Sequence, residues 1–136
     1  MFKNIIISLF LINTTYATIT DCSQGSSLFR VNSLGFWPDP AKKNENSTLS
    51  YDYTVPASTT ISAGTTTYSI SYNFIPLSPS VEDLCTQTTC PIVSGTYNQS
   101  TSSPFPDVVG SITIKTEWYD TNENLLLCTL VKTTVS

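Results

Sequence analysis

In Ser111-Ile112-Thr113-Ile114-Lys115-Thr116-Glu117-Trp118-Tyr119-Asp120-Thr121-Asn122-Glu123-Asn124-Leu125-Leu126-Leu127-Cys128, the large apolar side chains first fall on alternate positions. Ile112, Ile114 and Trp118 share one side of an extended chain, and Lys115 and Glu117 take the other. That period of two is what a half-buried strand requires. The polar run from Asp120 to Asn124 reads as the turn of a hairpin, and Leu125 to Val135 as the strand that returns. This last strand begins apolar on both faces, which predicts a place inside a sheet rather than at its edge.

Working upstream, the same alternation runs through Leu49 to Val55 and again through Thr66 to Phe74. The first puts Tyr51 and Tyr53 on one face; the second does so for Tyr68, Ile70, Tyr72 and Phe74. Helical spacing is almost absent, and the Thr-, Val-, Ile- and Tyr-rich composition suits strands. Between the strands lie Pro38-Asp39-Pro40, Pro56-Ala57, Ala63-Gly64, Pro76 to Pro79 and Pro104-Phe105-Pro106. Each proline lacks a backbone donor and so ends a ladder or fixes a turn. About six to eight short strands with regular turns predict an all-β sandwich or barrel.

Residues 1–17 read as a secretory signal peptide: Lys3 is followed by the apolar run Ile5 to Ile12 and by small residues near Ala17. The run is too short to span a bilayer. Residues 18–136 then form one domain, secreted and destined for the extracellular space or for a lysosomal or vacuolar lumen. The whole chain carries six basic against ten acidic residues, a formal net charge of −4. That balance, with few arginines, argues against a nucleic-acid partner. The expected state is a monomer.

Four cysteines in a secreted chain allow three disulfide connectivities. Cys85 and Cys90, five apart, are the natural local pair, leaving Cys22 to join Cys128 across the domain's termini. A metal site is the competing reading, but the chain has no histidine and no paired C-x-x-C spacing, so no metal or cofactor is expected. Asn46-Ser47-Thr48 and Asn98-Gln99-Ser100 are glycosylation sequons.

No catalytic residues are expected. The absence of histidine removes the usual triads. Asp52, Glu82, Asp83 and Glu117 are the candidates for a hydrolytic carboxylate pair, but they fall on polar strand faces or in loops. The aromatic residues are more telling, because they concentrate on single strand faces. Alternation alone favours a filled sandwich core over a ligand cavity.

Taken together, five segments resemble the ML (lipid-recognition) domain, particularly its phosphatidylglycerol/phosphatidylinositol transfer branch. They are Asp21-Cys22; Trp37-Pro38-Asp39-Pro40 with Lys42-Lys43; Ile61 to Gly64; Asp83-Leu84-Cys85 to Cys90-Pro91; and Trp118 to Cys128. They occur in the family's order from Cys22 to Val135. The six-cysteine animal members have a third bridge near the segment matching residues 36–46, which this chain lacks. The resemblance implies an immunoglobulin-like sandwich of two antiparallel sheets around an apolar lipid cavity, with the Cys22–Cys128 and Cys85–Cys90 pairing. It also implies binding of a phospholipid (phosphatidylglycerol or phosphatidylinositol) or sterol, and its transfer between membranes, with transient membrane-surface contact. On that basis Tyr51, Tyr53, Tyr68, Ile70, Tyr72, Phe74, Ile112, Ile114 and Trp118 are the expected lining, with Phe105, Val108 and Val109 at the mouth. The alternative is a non-enzymatic secreted interaction or accessory module with a filled core.

Overall fold

The computed structural model describes residues 17–135 apart from Pro40, Pro106 and Val108. Of the proposed signal peptide only Ala17 lies within the described residues, and Val108 of the predicted mouth lies outside them. Nine strands are present among the described residues: β1 (Thr18–Asp21), β2 (Arg30–Trp37), β3 (Asn46–Ile61), β4 (Gly64–Tyr72), β5 (Ile75–Pro76), β6 (Ser80–Asp83), β7 (Ile92–Pro104), β8 (Gly110–Asp120) and β9 (Leu125–Val135). They form an immunoglobulin-like sandwich of two antiparallel sheets. One sheet runs β1-β9-β8-β4, with β5 and β6 end to end on the outer edge of β4; the other runs β2-β3-β7.

The alternation read from the sequence places the faces as expected on β3, β8 and β9. On β3, Ser47, Tyr51, Tyr53 and Val55 are buried in turn; on β8, Ile112, Thr116 and Trp118 are. β9 is an inner strand, between β1 and β8. Its two adjacent buried leucines, Leu126 and Leu127, coincide with a register shift against Trp118 and Tyr119, the extra residue of a β-bulge.

Several details differ from the sequence reading. Pro56-Ala57 is not a turn: β3 continues to Ile61, and the irregularity is absorbed as a register shift against β7 between Val55 and Thr60. A proline fits there because no ladder bond is asked of its missing N–H. The proline-rich stretch from Pro76 to Pro79 is flanked by two short strands rather than being turn throughout. Phe74 does not continue β4, which stops at Tyr72; Asn73 and Phe74 take positive φ angles of 49° and 67° in a tight turn.

Both disulfides form as paired above. Cys22–Cys128 joins the end of β1 to β9, and Cys85–Cys90 closes a loop entered by a single 3-10 turn, Leu84–Thr86. Asp83 caps that turn, its Oδ1 accepting from the Cys85 N–H at 2.8 Å. The segment after β2, which carries no disulfide, is tied instead by hydrogen bonds. Asn44 N donates to the Phe105 carbonyl (3.2 Å), and Phe105 N donates to the Glu45 carbonyl (3.0 Å).

The β8–β9 hairpin is held by Asp120. Its Oδ1 accepts from the N–H groups of Asn122 (2.8 Å) and Asn124 (2.9 Å), and its Oδ2 accepts from the Asn124 amide (3.0 Å). These bonds, the Asn124 backbone one foremost, hold the Asp120 pKa below its ordinary value. The carboxylate therefore stabilises the fold above the unfolded pKa of about 3.9, and that contribution is lost as pH falls through the lower folded value. Asp120→Ala should lower Tm at neutral pH by about 4 °C, the effect of roughly 1 kcal/mol in a domain of this size. Thermal melts across pH should show the gap between variant and wild type closing in acid.

Candidate functional site

The interior is not one continuous core. Towards the hairpin end, Phe29, Tyr51, Tyr53, Val55, Trp118, Leu126 and Leu127 pack together with Leu84 and Ile92. At the other end a smaller cluster unites Ala41, Phe105, Ile112 and Val135, with Phe36, Tyr72 and Ile114 against it. Between the two lies a cavity of about 380 Å³. Its apolar wall comes from Phe36 of β2, Leu49 of β3, Tyr68 and Ile70 of β4, Phe105, Ile114 of β8 and Val131 of β9.

The strand order explains where this slot opens. β1 and β2 approach each other along one side of the sandwich. On the opposite side the cavity is bounded by Thr101, Ser102 and Ser103 of β7 and by Glu82 of β6, all exposed, with Gln87 half-buried beside them. Tyr68 donates its hydroxyl to Gln87 Oε1 at 2.6 Å. Burial, and secondarily the Glu82 carboxylate, push the Tyr68 pKa up, so the phenol stays neutral. Among the described residues Glu82 is the sole charged side chain in the wall, and no Lys or Arg lines it.

The predicted lining residues divide into three groups. Tyr68, Ile70, Phe105 and Ile114 border the cavity; Phe105, expected at the mouth, is buried in its wall. Tyr51, Tyr53 and Trp118 sit instead in the aromatic cluster that closes the hairpin end, and Tyr72 and Ile112 belong to the cluster at the other end. Phe74 and Val109 lie outside: Phe74 is 89% exposed on the β4–β5 turn and Val109 50% exposed on the β7–β8 connection. Alternation could not foresee this split, since all the strand residues share one face and differ only in height along the sandwich. Phe36, Leu49 and Val131 are apolar, inward and in the wall, yet the sequence reading did not single them out. Leu49 could have been found, two positions before Tyr51 on the same face.

The aromatic cluster is closely ordered. Tyr53 stacks on Phe29 (centroids 5.5 Å apart) and on Tyr97 (5.4 Å), and meets Trp118 edge-on at 5.6 Å. Its buried hydroxyl donates to Gln99 Oε1 (2.9 Å), while Gln99 Nε2 donates to Thr88 Oγ1 (2.6 Å). Burial raises the pKa values of Tyr51 and Tyr53.

Of the carboxylates weighed for hydrolysis, Glu82 borders the cavity and the other three have local roles. Asp83 caps the 3-10 turn, Asp52 accepts from the Asn32 amide, and Glu117 accepts from the Tyr119 hydroxyl. Among the described residues no group of three or more His, Cys, Asp or Glu is placed to hold a metal. A second concavity, about 560 Å³, lies beside the Cys85–Cys90 loop, but Thr86, Gln87, Thr88, Thr89 and Gln99 make its lining polar.

The sequence profile of the ML domain matches residues 17–135. The chain belongs to the ML domain family. Its fold is similar to that of a Niemann-Pick type C2 protein from the Japanese carpenter ant, at a TM-score of 0.65 and 11% identity, over 88% of this chain and 99% of that one. It is also similar to chicken MD-1 complexed with lipid IVa, at 0.57 and 9% identity, over 85% and 86% of the two chains. No curated protein sequence matches the chain.

Ile114 projects into the ML-domain slot from the middle of β8 and is only half-buried, so a larger side chain there has room to grow into the cavity. Ile114→Trp should cut binding of an anilinonaphthalene sulfonate dye at least about tenfold while leaving Tm within a few degrees. Unchanged dye fluorescence would remove Ile114 from the binding wall.

Proposed function

We propose that this protein is a secreted lipid carrier that holds the apolar part of a single lipid between its sheets and passes it between membranes. The observation that carries this reading is the break in the core. A sandwich packed only for stability would fill the space between its two clusters, whereas here an apolar-walled cavity interrupts it and opens at one side. Each methylene moved from water into such a wall gains about 0.8 kcal/mol. A hydrocarbon chain or sterol body is therefore held without a dense set of polar contacts. The ML family and the lipid IVa complex of the similar MD-1 structure support the same reading. The open cavity counts against an accessory module with a filled core.

Of the two lipid classes the sequence suggests, the wall favours the uncharged one. Phosphatidylglycerol and phosphatidylinositol bring a net negative headgroup, and the slot offers it a carboxylate, Glu82, with no cation in the wall. A sterol or a zwitterionic phospholipid meets no such repulsion. The two disulfides suit an oxidising compartment, extracellular or lumenal. Asn46 and Asn98 are both exposed and so accessible to glycosylation.

The membrane contact falls to residues outside the slot. Phe74, Ile75 and Leu77 are exposed together on the β4–β5 segment. Val109 is held beside them, since the Tyr72 hydroxyl donates to the Val109 carbonyl and Asn73 N donates to the Ser111 carbonyl. The Leu77 N–H donates to the carbonyl of Ile70, a wall residue, so this apolar tip adjoins the slot. A lipid leaving a bilayer would meet the tip and then the cavity.

Mass spectrometry of organic extracts from the purified, glycosylated protein, against an unrelated secreted control, tests the binding. A stoichiometric lipid absent from the control is the expected result; an empty extract together with no uptake of added sterols or phospholipids would sink the proposal. Membrane delivery is separable from binding. Phe74→Asp should slow transfer of a fluorescent sterol between neutral vesicles at least about fivefold while leaving equilibrium binding within twofold, because Phe74 is exposed and does not line the cavity. Equal transfer rates would dismiss the tip.

A further inference from the structure

Ser47, the second residue of β3, points between the sheets. It is 5% exposed and lines the slot, and its Oγ has no hydrogen-bond partner. Its surroundings account for the isolation. The adjacent outward hydroxyl, that of Thr48, pairs with Ser102 Oγ at 2.7 Å across the β3–β7 ladder. Ser47 faces the other way, into the slot, opposite Ser103 of β7 and next to Leu49 on the same face of its own strand, with Phe36 and Phe105 also in the wall, and no hydrogen bond joins its Oγ to any of them. Buried hydroxyls nearly always find a partner, because leaving one unpaired forfeits its bond to water without replacement. An alanine would occupy the position with no such penalty. The other buried, unpartnered hydroxyl among the described residues, Thr66 Oγ1, does not line the cavity.

We infer that Ser47 Oγ is a specificity-determining contact that hydrogen-bonds an uncharged oxygen of the bound lipid, a hydroxyl or an ester carbonyl, inside the slot. The inference deepens the carrier reading and rests on it. The oxygen must be uncharged because an ionised group this deep would need a cation, and the described residues of the wall include none. Such a contact turns an otherwise permissive apolar slot into one that ranks lipids. A lipid presenting an oxygen at the height of Ser47 satisfies the serine, whereas a pure hydrocarbon leaves the hydroxyl unpaired. Sterols carry a suitable oxygen as a hydroxyl and diacyl phospholipids as an ester carbonyl, so the shared chemistry is one neutral oxygen joined to a large apolar body.

Two matched ligand pairs separate these sources. Cholesterol is compared with its deoxy analogue cholestene, and a diester phosphatidylcholine with the diether of the same chain lengths. Each competes for the slot against a fluorescent lipid in wild type and in Ser47→Ala, which keeps the Asn46 sequon intact because Thr48 is unchanged. Wild type should prefer the oxygen-bearing member of one pair by roughly tenfold, the discrimination of about one neutral hydrogen bond. The pair that responds names the source. In Ser47→Ala the preference should vanish, with the oxygen-free member binding at least as tightly as it does to wild type. Ligand-free Ser47→Ala should melt at or above the wild-type Tm, since it loses a hydroxyl that bonds nothing in the fold. The same preference in both proteins, no preference in wild type, or a Tm drop of several degrees would each overturn the inference while the carrier reading stands. Failure of wild type to bind any of the four lipids would overturn both.

Discussion

The slot depends on the aromatic packing at the hairpin end, where Tyr53 stacks on Phe29 and Tyr97 and meets Trp118 edge-on. Two sheets can stand apart over their middle only if another part of the sandwich holds them at a fixed separation. Each well-oriented aromatic pair adds about 0.5–1.5 kcal/mol to the burial of its rings. The cluster draws on strands of both sheets: Tyr51 and Tyr53 come from β3, Tyr97 from β7 and Trp118 from β8. The Tyr53 hydroxyl within it donates to Gln99, which in turn donates to Thr88, so side-chain hydrogen bonds reinforce the closed end. With that end fixed, the central stretch of each strand is free to line a cavity instead of filling one.

This division of labour runs in the same order along β3 and β8. On β8, Trp118 serves the closed end, Thr116 and Ile114 the slot, and Ile112 the far cluster; on β3, Tyr53 and Tyr51 give way to Leu49 and Ser47. It also sets the limit of what the sequence discloses. Alternation identifies the inward face because strand side chains repeat every two residues whatever they touch. It carries no information about which level of that face meets an opposite side chain and which meets a void. Trp118 and Ile114 are equivalent by pattern and differ only through the opposing sheet. The slot was legible as a family expectation and, in part, as a set of residues, but its height along the strands was not.

The other misplacements have equally local causes. Phe74 continues the alternation of Tyr68, Ile70 and Tyr72 in sequence, yet two successive positive φ values turn the chain and expose it. β7 is a 13-residue strand without a strong apolar period, since Ser, Thr and Asn dominate its exposed edge. Its extended form follows from pairing along β3, so no reading of its own side chains could recover it. The hairpin at Asp120 and both disulfides were readable because short spacing and turn chemistry determine them.

The constraints are unevenly distributed, in a way that suits a site that must open. Cys22–Cys128 joins residues 106 apart, and by the chain-entropy relation a loop of that length contributes about 4–5 kcal/mol. It lies at the closed end, where Phe29 and Leu28 also donate backbone bonds to Leu126 and Leu125. Cys85–Cys90 spans five residues and contributes about 2 kcal/mol on the same relation, so its effect is mainly one of position. It holds Thr88 where Gln99 can reach it and Gln87 where Tyr68 can. The mouth itself is bordered by exposed serines and threonines of an edge strand and by β6, whose four residues are all exposed. Among the described residues β6 and β7 belong to different sheets and share no ladder, while the Cys22–Cys128 bridge and the Tyr53–Trp118 contact lie at the closed end. The side with the mouth is therefore the one that the strongest constraints of the sandwich leave least tied.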